Sequence, residues 1–564
     1  MNNLKYVRID TMIDTLNLNK IYNGFSSSKI NDDINIVNNL LCELKCLLEN
    51  DLNIDLLSNF IIISNKIITL TDKLFAYARL HLYLNTTDTN AYSLNVQIES
   101  LDLEFKKYEK NISNKLSYSI INDYALRSDL ILEHKEYLIN LLNSANMQIN
   151  DSGKLFLEKE YQKLISGIKI NIRDVTLPIN LTVFDFNNNS ELYNLKKEYF
   201  DLREQYFAKN QNEFANLMLN IKKETINVSK KNKYSNPLEM SILSSNFTMK
   251  QFNNLLNIIK SNKGVFDNYL KSCPKNSFIL RTYSYFEIQE IIINSFSYCS
   301  DELACVAKNI FRNNHIDICN DKNKIVGSCH LKIIDLKESR IVGHYSGNIK
   351  DIFSIAHEIG HAYQNYIVMN SQSPLNSNVP TSTCEIISTF CELLVLNNLI
   401  KTSKNKHETF CILNYFINYI IQAILDVFTR FLFEDKVFNL LVSSPTKITS
   451  EYLNSIMISI QSKIYNNSNY IDKYLWVYKP HFYSIYTPYY NYPYSFGILY
   501  AFLLFDKYKK NDLKSFNENI KQFCKLSTRL NMSDLSQIFN IDLINKNCFD
   551  VSFAQIKQLI EKYL

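Results

Sequence analysis

Asp351-Ile352-Phe353-Ser354-Ile355-Ala356-His357-Glu358-Ile359-Gly360-His361-Ala362-Tyr363 is the stretch around which this 564-residue chain is organised. Its centre reads His-Glu-x-x-His. On a helix, residues four apart project from one face, so His357 and His361 are spaced to grip a single metal ion. Glu358 lies beside them, able to reach a metal-bound water without serving as a ligand. The helix start is signalled by Ser346-Gly347-Asn348 and by Asp351 in the first turn.

Composition bounds the rest. The chain is long enough for more than one domain, and only 9 Gly and 9 Pro punctuate it, which favours long helices over a turn-rich β architecture. A net charge of +5 spread along the sequence gives no nucleic-acid or membrane-surface footprint. Residues 1–8 lead into no apolar core of signal-peptide length, so a cytoplasmic location is the expectation. The 12 cysteines form no Cys-x-x-Cys, and Cys42 and Cys46 are read as core thiols on an apolar helix face. Residues 410–433 are apolar enough to suggest a membrane span. However, Asn414, Asn418, Gln422, Asp426 and Arg430 draw a polar stripe along them, so they are read as a largely buried helix whose stripe faces solvent or a wet cleft.

Residues 1–115 repeat apolar clusters at helical spacing, as in Ile36-Val37-Leu40-Leu41-Leu44-Leu47-Leu48, and are read as long packed antiparallel helices. Residues 116–190 continue the pattern and close on an extended piece from Val175 to Val183 around Pro178. Residues 191–564 form the remaining domain, helical again to about 320, with Pro237 and Pro274 as punctuation. Residues 325–334 and 340–345 read as two short strands joined by a polar loop at 335–339, with His330 and His344 on them. Such a strand could pair with the backbone of an extended peptide and hold it across the metal.

Two histidines leave a catalytic zinc site short of its third protein ligand. Ser382-Thr383-Cys384-Glu385-Ile386-Ile387-Ser388-Thr389-Phe390-Cys391-Glu392 reads as a second helix, and its Glu385 and Glu392 share a face two turns apart. One could bind zinc while the other supports a ligand histidine. Further on, residues 476–497 crowd Tyr and His together, including His481-Phe482-Tyr483, Tyr486 and Tyr489-Tyr490-Asn491-Tyr492-Pro493-Tyr494. His81, His134, His315 and His407 have no companions at metal spacing.

The segment from His357 to Glu392 resembles the active-site core of the thimet-oligopeptidase and oligoendopeptidase F family of zinc metallopeptidases, and the His/Tyr run is similar to that family's C-terminal block. The resemblance implies one Zn2+ per chain held by His357, His361 and Glu385, with Glu358 as general base. It also implies transition-state hydrogen bonds from His481 and Tyr492, with Tyr489 and Tyr486 as further candidates. The implied fold is mainly α, a multi-helix zincin-type oligopeptidase with a small β-sheet beside the active-site helix and a deep substrate channel. Residues 116–190 then correspond to an oligoendopeptidase F-like helical subdomain and 191–564 to the catalytic domain. Short unfolded peptides cut at internal bonds are the implied substrates, with the strand at 340–345 aligning them. A metallo-carboxypeptidase using the same zinc site and a non-catalytic helical metal-containing binding protein are the alternatives.

Overall fold

The computed structural model describes residues 16–144, 152–165, 167–173, 175–182, 186, 192, 194–272, 281–321, 323–325, 327–444, 448–466 and 468–564. Residues 1–8, Val183, Pro274 and Val326 lie outside the described residues. The chain forms two compact units, each assembled from two segments: Met1–Leu142 with Thr282–Asn378, and Asn143–Arg281 with Val379–Leu564.

The first unit opens with the long helices Ser28–Leu48, Ile54–Leu84 and Thr89–Lys115, as the 3.6-residue spacing implies. Two are capped where their sequence offers a short polar side chain, Asn53 accepting from the Leu56 amide and Asp88 from those of Asn90 and Ala91. Their apolar faces, with Val37, Leu41, Leu44, Phe60, Ile61, Leu74 and Ile98 at the centre, bury against one another and against Ile333 and Val342 of the sheet. Cys42 and Cys46 are exposed, a correction to their reading as core thiols. The buried face of Ser28–Leu48 follows Val37, Leu40, Leu41, Leu44 and Leu48, and both cysteines project to its solvent side.

The sheet in this unit has three strands, β1 (Ile316–Asp317), β2 (Cys329–Ile333) and β3 (Glu338–Val342), in the order β1-β3-β2. β2 and β3 make the expected hairpin, His330 opposite Ile341 and Ile333 opposite Glu338, while β1 runs parallel to β3. The strand read at 340–345 therefore begins two residues earlier and ends at Val342, leaving His344 and Tyr345 beyond it. β3 is central and hydrogen-bonded on both sides, so it has no edge to offer a peptide; among the described residues β2 lies at the sheet's edge. Lys324, buried, ties the sheet together by donating to the Asp317 carboxylate and to the carbonyls of Asp317, Cys319 and Gly343.

The second unit contains the 36-residue helix Lys196–Lys231 and an antiparallel hairpin, Lys169–Ile172 with Val175–Pro178. It also holds the helices Thr381–Thr402, Lys406–Ile421, Val427–Ser443 and Tyr492–Lys510. Pro237 opens a helix whose amide at Glu239 is capped by Asn236. Lys406–Ile421 and Val427–Ser443 are joined by a π-helical turn, Gln422–Asp426. The polar stripe does not face solvent. Asn414, Asn418 and Asp426 are buried, and several members of the stripe are paired inside the unit: Tyr269 donates to Asn414 at 2.7 Å, Arg430 pairs with Asp426, and Arg430 donates to Asn491 at 3.1 Å. Ile54–Leu84, Thr381–Thr402 and Lys406–Ser443 are long and apolar enough to cross a membrane by length and composition, and 39%, 83% and 72% of their most apolar windows are buried within the protein.

Candidate metal centre and active site

In the first unit the motif stretch forms the helix Ile349–Ser371. Its entry is fixed by Asp351, whose carboxylate accepts the amides of Ser346 and Gly347 at 2.7 Å and of Asn348 at 3.2 Å, while Asn348 caps the Lys350 amide. Gly347 has φ +74°, and a Cβ there would meet the Thr282 methyl at 2.6 Å, so the turn into the helix requires glycine.

One turn apart on this helix, the Nε2 atoms of His357 and His361 stand 3.0 Å from each other with their rings nearly perpendicular. The Nδ1 of His361 is buried with no partner. Burial, with the neighbouring imidazoles of His330 and His357, pushes His361 well below the usual histidine range, so it is neutral and has a lone pair to give. These are the properties a zinc ligand needs, and the implied ion fits this donor pair. Glu358 is buried beside them, and its carboxylate meets Nδ1 of His330 at 3.1 Å. The His330 ring stacks on His361 with centroids 4.4 Å apart. His344, beyond the sheet, bonds the Ile325 carbonyl at 2.5 Å and serves the backbone.

In the second unit Glu385 is buried on Thr381–Thr402, and Ser388, one turn on, donates to its carbonyl at 3.2 Å. This helix packs against Tyr492–Lys510 so closely that a Cβ on Gly497 would lie 3.0 Å from the Glu385 Cβ and 3.3 Å from its carbonyl. Glu392 is also buried and accepts the Tyr419 hydroxyl at 3.2 Å, while the Cys384 thiol is turned to the Thr381 carbonyl.

The His/Tyr block is anchored by Glu158, which accepts the Ile485 amide at 2.7 Å, and by Glu434, which accepts the Tyr489 amide at 3.2 Å. His481 sits on the turn Pro480–Tyr483 and stacks on Tyr490 at 5.1 Å. Burial, then the charges of Arg430 and Lys479, push it down to about 3, which leaves it neutral at physiological pH. The structure engages two of the three tyrosines singled out from the sequence: the Tyr492 hydroxyl donates to the Ser241 carbonyl at 3.0 Å and that of Tyr489 to Asp435 at 3.2 Å. Beside His481 stands Tyr490, whose hydroxyl lies 3.1 Å from that of Tyr494. Burial, and next the Glu385 carboxylate, raise Tyr494 above the usual phenol range, so it remains a donor. Tyr486 packs half-buried against the core around Trp476.

The other histidines are structural. His134 is buried between the Leu130 carbonyl and Ser373, His315 lies 3.6 Å from Glu338, His81 packs on Phe25 and Tyr77, and His407 touches the Cys411 thiol. Sequence reasoning had no contact to assign to His330 and passed over Tyr490 and Tyr494. The four-residue spacing of the two tyrosines was the available signal.

The model of peptidase family M3 matches residues 227–526. The plasmid-borne oligoendopeptidase F of Lactococcus lactis subsp. cremoris is 24% identical over 268 residues, 43% of this chain and 44% of its own length. An oligoendopeptidase F homolog of Borreliella burgdorferi is 22% identical over 375 residues, 61% of this chain and 62% of its own length. The chain thus matches roughly half of the length of these curated relatives. The crystal structure of oligoendopeptidase-F from Enterococcus faecium superposes with a TM-score of 0.65 at 15% identity, covering 97% of this chain and 99% of that one, and so shares its fold.

Proposed function

The chain belongs to peptidase family M3, and from that premise we propose that it is a zinc-dependent oligopeptidase that cuts internal bonds of short unfolded peptides. The observation that carries the reading is the pairing of His357 with the buried His361, their Nε2 atoms 3.0 Å apart, with the Glu358 carboxylate buried on the same helix. His357, His361 and Glu385 would hold one zinc. When bound, the ion supplies Lewis acidity to the scissile carbonyl and to the attacking water. Glu358 takes that water's proton and returns it to the leaving amine. Neutral donors are needed where the carbonyl oxygen gains charge. His481 supplies one, and we assign the other to the Tyr490–Tyr494 hydroxyl pair, because the hydroxyls of Tyr492 and Tyr489 already have internal acceptors. The edge strand β2 would align the substrate backbone by strand addition. The exposed thiols of Cys42 and Cys46 suit the reducing cytoplasm as its place of action.

A ladder of peptides of defined length, read by mass spectrometry with and without a chelator, tests the activity. Internal cleavage that the chelator abolishes is the expected result. Release of C-terminal residues alone would make the protein a carboxypeptidase, and chelator-insensitive cleavage would remove zinc from the mechanism. Glu358→Gln should keep its zinc by elemental analysis and lose roughly 10²- to 10⁴-fold in kcat; retained turnover would exclude Glu358 as the base.

A further inference from the structure

We propose that the first unit carries an alternative metal position formed by His330, Glu358 and His361, in which a divalent ion such as zinc or cobalt captures the catalytic base. Each of the three side chains offers one ligand atom within 4.8 Å of the others. The inference rests on the reading of Glu358 as base and His361 as zinc ligand, and adds to it a residue that the reading leaves idle.

The geometry comes from the sheet. His330 is the second residue of the edge strand β2, paired with Ile341 of the central strand, and its ring lies over His361 with planes 26° apart. Its Nδ1 is 3.1 Å from a Glu358 oxygen, close to the separation of about 3 to 3.5 Å expected between two ligand atoms each roughly 2.1 Å from one zinc. Glu358 and His361 are buried and His330 partly so, leaving a side from which an ion can enter. Two imidazoles and one carboxylate are the donor set of several catalytic zinc sites and suit the same borderline ions. All three ligands belong to one unit.

The two positions exclude each other. A neutral imidazole has one lone pair to donate, so His361 serves one ion at a time. An ion at the alternative position therefore leaves the proposed productive set incomplete, and it occupies the carboxylate that must accept the water's proton. The chain then carries its metal and does no chemistry. Substitution of His357 or Glu385, which the alternative position does not use, should consequently displace the ion and not strip it.

The test is metal content after equilibrium dialysis against zinc, with the visible spectrum of the cobalt-substituted chain as a second readout. His357→Ala should retain one ion per chain with no peptide turnover, and the cobalt spectrum should differ from that of the unsubstituted chain. Adding His330→Ala, or His330→Gln, which keeps a hydrogen bond to Glu358, should abolish binding while circular dichroism shows the fold intact. His357→Ala that holds no ion, or a His330 double variant that holds it as firmly as His357→Ala, overturns the proposal. Failure of the underlying reading looks different: His357→Ala would then cut peptides at the unsubstituted rate.

Discussion

Lys222→Met should break a buried ion pair behind the His/Tyr block. Lys222 and Glu434 are 1% and 3% exposed, with Nζ and Oε1 2.5 Å apart. The other Glu434 oxygen accepts the Tyr489 amide, at a residue held in the left-handed region with φ +56°. Methionine keeps most of the lysine stem's packing and removes its charge, which leaves a buried carboxylate without its partner. Removing one member of such a pair costs about 3 to 5 kcal/mol, whereas replacing both by apolar residues of similar volume is close to neutral. The chain has one tryptophan, Trp476, fully buried in the second unit and in the same apolar cluster as Phe433 and Val437, so its fluorescence in urea reports on this region. Lys222→Met should lower that transition by about 3 to 5 kcal/mol, and Lys222→Met with Glu434→Leu should recover most of it. The double variant should still lose peptidase turnover, because the Tyr489 amide has lost its acceptor and the loop that presents Tyr490 is freed. A Lys222→Met transition within about 1 kcal/mol of the parent would refute the argument that this charge is held away from water.

Three further outcomes follow from local geometry. Tyr490→Phe and Tyr494→Phe should each lower kcat by roughly 10²- to 10³-fold with metal content unchanged, while Tyr492→Phe should cost about 1 kcal/mol of stability and little turnover; the reverse ranking by steady-state kinetics would return the donor role to Tyr492. Gly497→Ala should strain the contact with Glu385 by about 1 to 3 kcal/mol and lower peptide turnover, and an unchanged turnover would show that the two helices separate freely. Asp72 is raised to about 6, chiefly by burial, against the pull of the Ile334 amide and Lys332. A carboxyl raised in the folded state favours folding below its unfolded value near 3.9 and loses that contribution as pH rises through about 6, up to about 3 kcal/mol for two units. Asp72→Asn should therefore raise the thermal midpoint at pH 7.5 and not at pH 4, and a pH-independent difference would disprove the burial argument.

Local periodicity carried most of the fold because the long helices bury wide apolar faces, and a face buried at 3.6-residue spacing leaves its trace in one segment alone. The hairpin of β2 and β3 was legible for the same reason. What failed depends on partners distant in sequence. β3 is central because Ile316–Asp317 pairs with it, and a two-residue strand leaves no periodic mark. The stripe from Asn414 to Arg430 reads as facing solvent or a wet cleft, since polarity by itself does not tell water from Tyr269 and Asn491, which lie on other elements. Cys42 and Cys46 were placed among leucines, yet a helix position one residue from a buried leucine is turned by about 100° from it.

The candidate site divides along the same line. Spacing on one helix is a strong constraint, so His357, Glu358 and His361 could be read together from their order, and the structure brings the two histidines together one turn apart with Glu358 and His361 buried. A tyrosine's role instead depends on where its hydroxyl finds an acceptor, and the run from Tyr486 to Tyr494 gives every member similar neighbours in sequence. The hydroxyls of Tyr492 and Tyr489 donate to Ser241 and Asp435, and neither acceptor is near them in the chain. His330 is the sharper case. As a lone histidine on a strand it carried no spacing signal, and its meaning comes from the register that sets it over His361 and against Glu358. A residue that reaches both the base and a proposed ligand bears on which metal position fills. Under the proposal, the register of β2 on β3 thus bears on the metal chemistry as well as on the sheet.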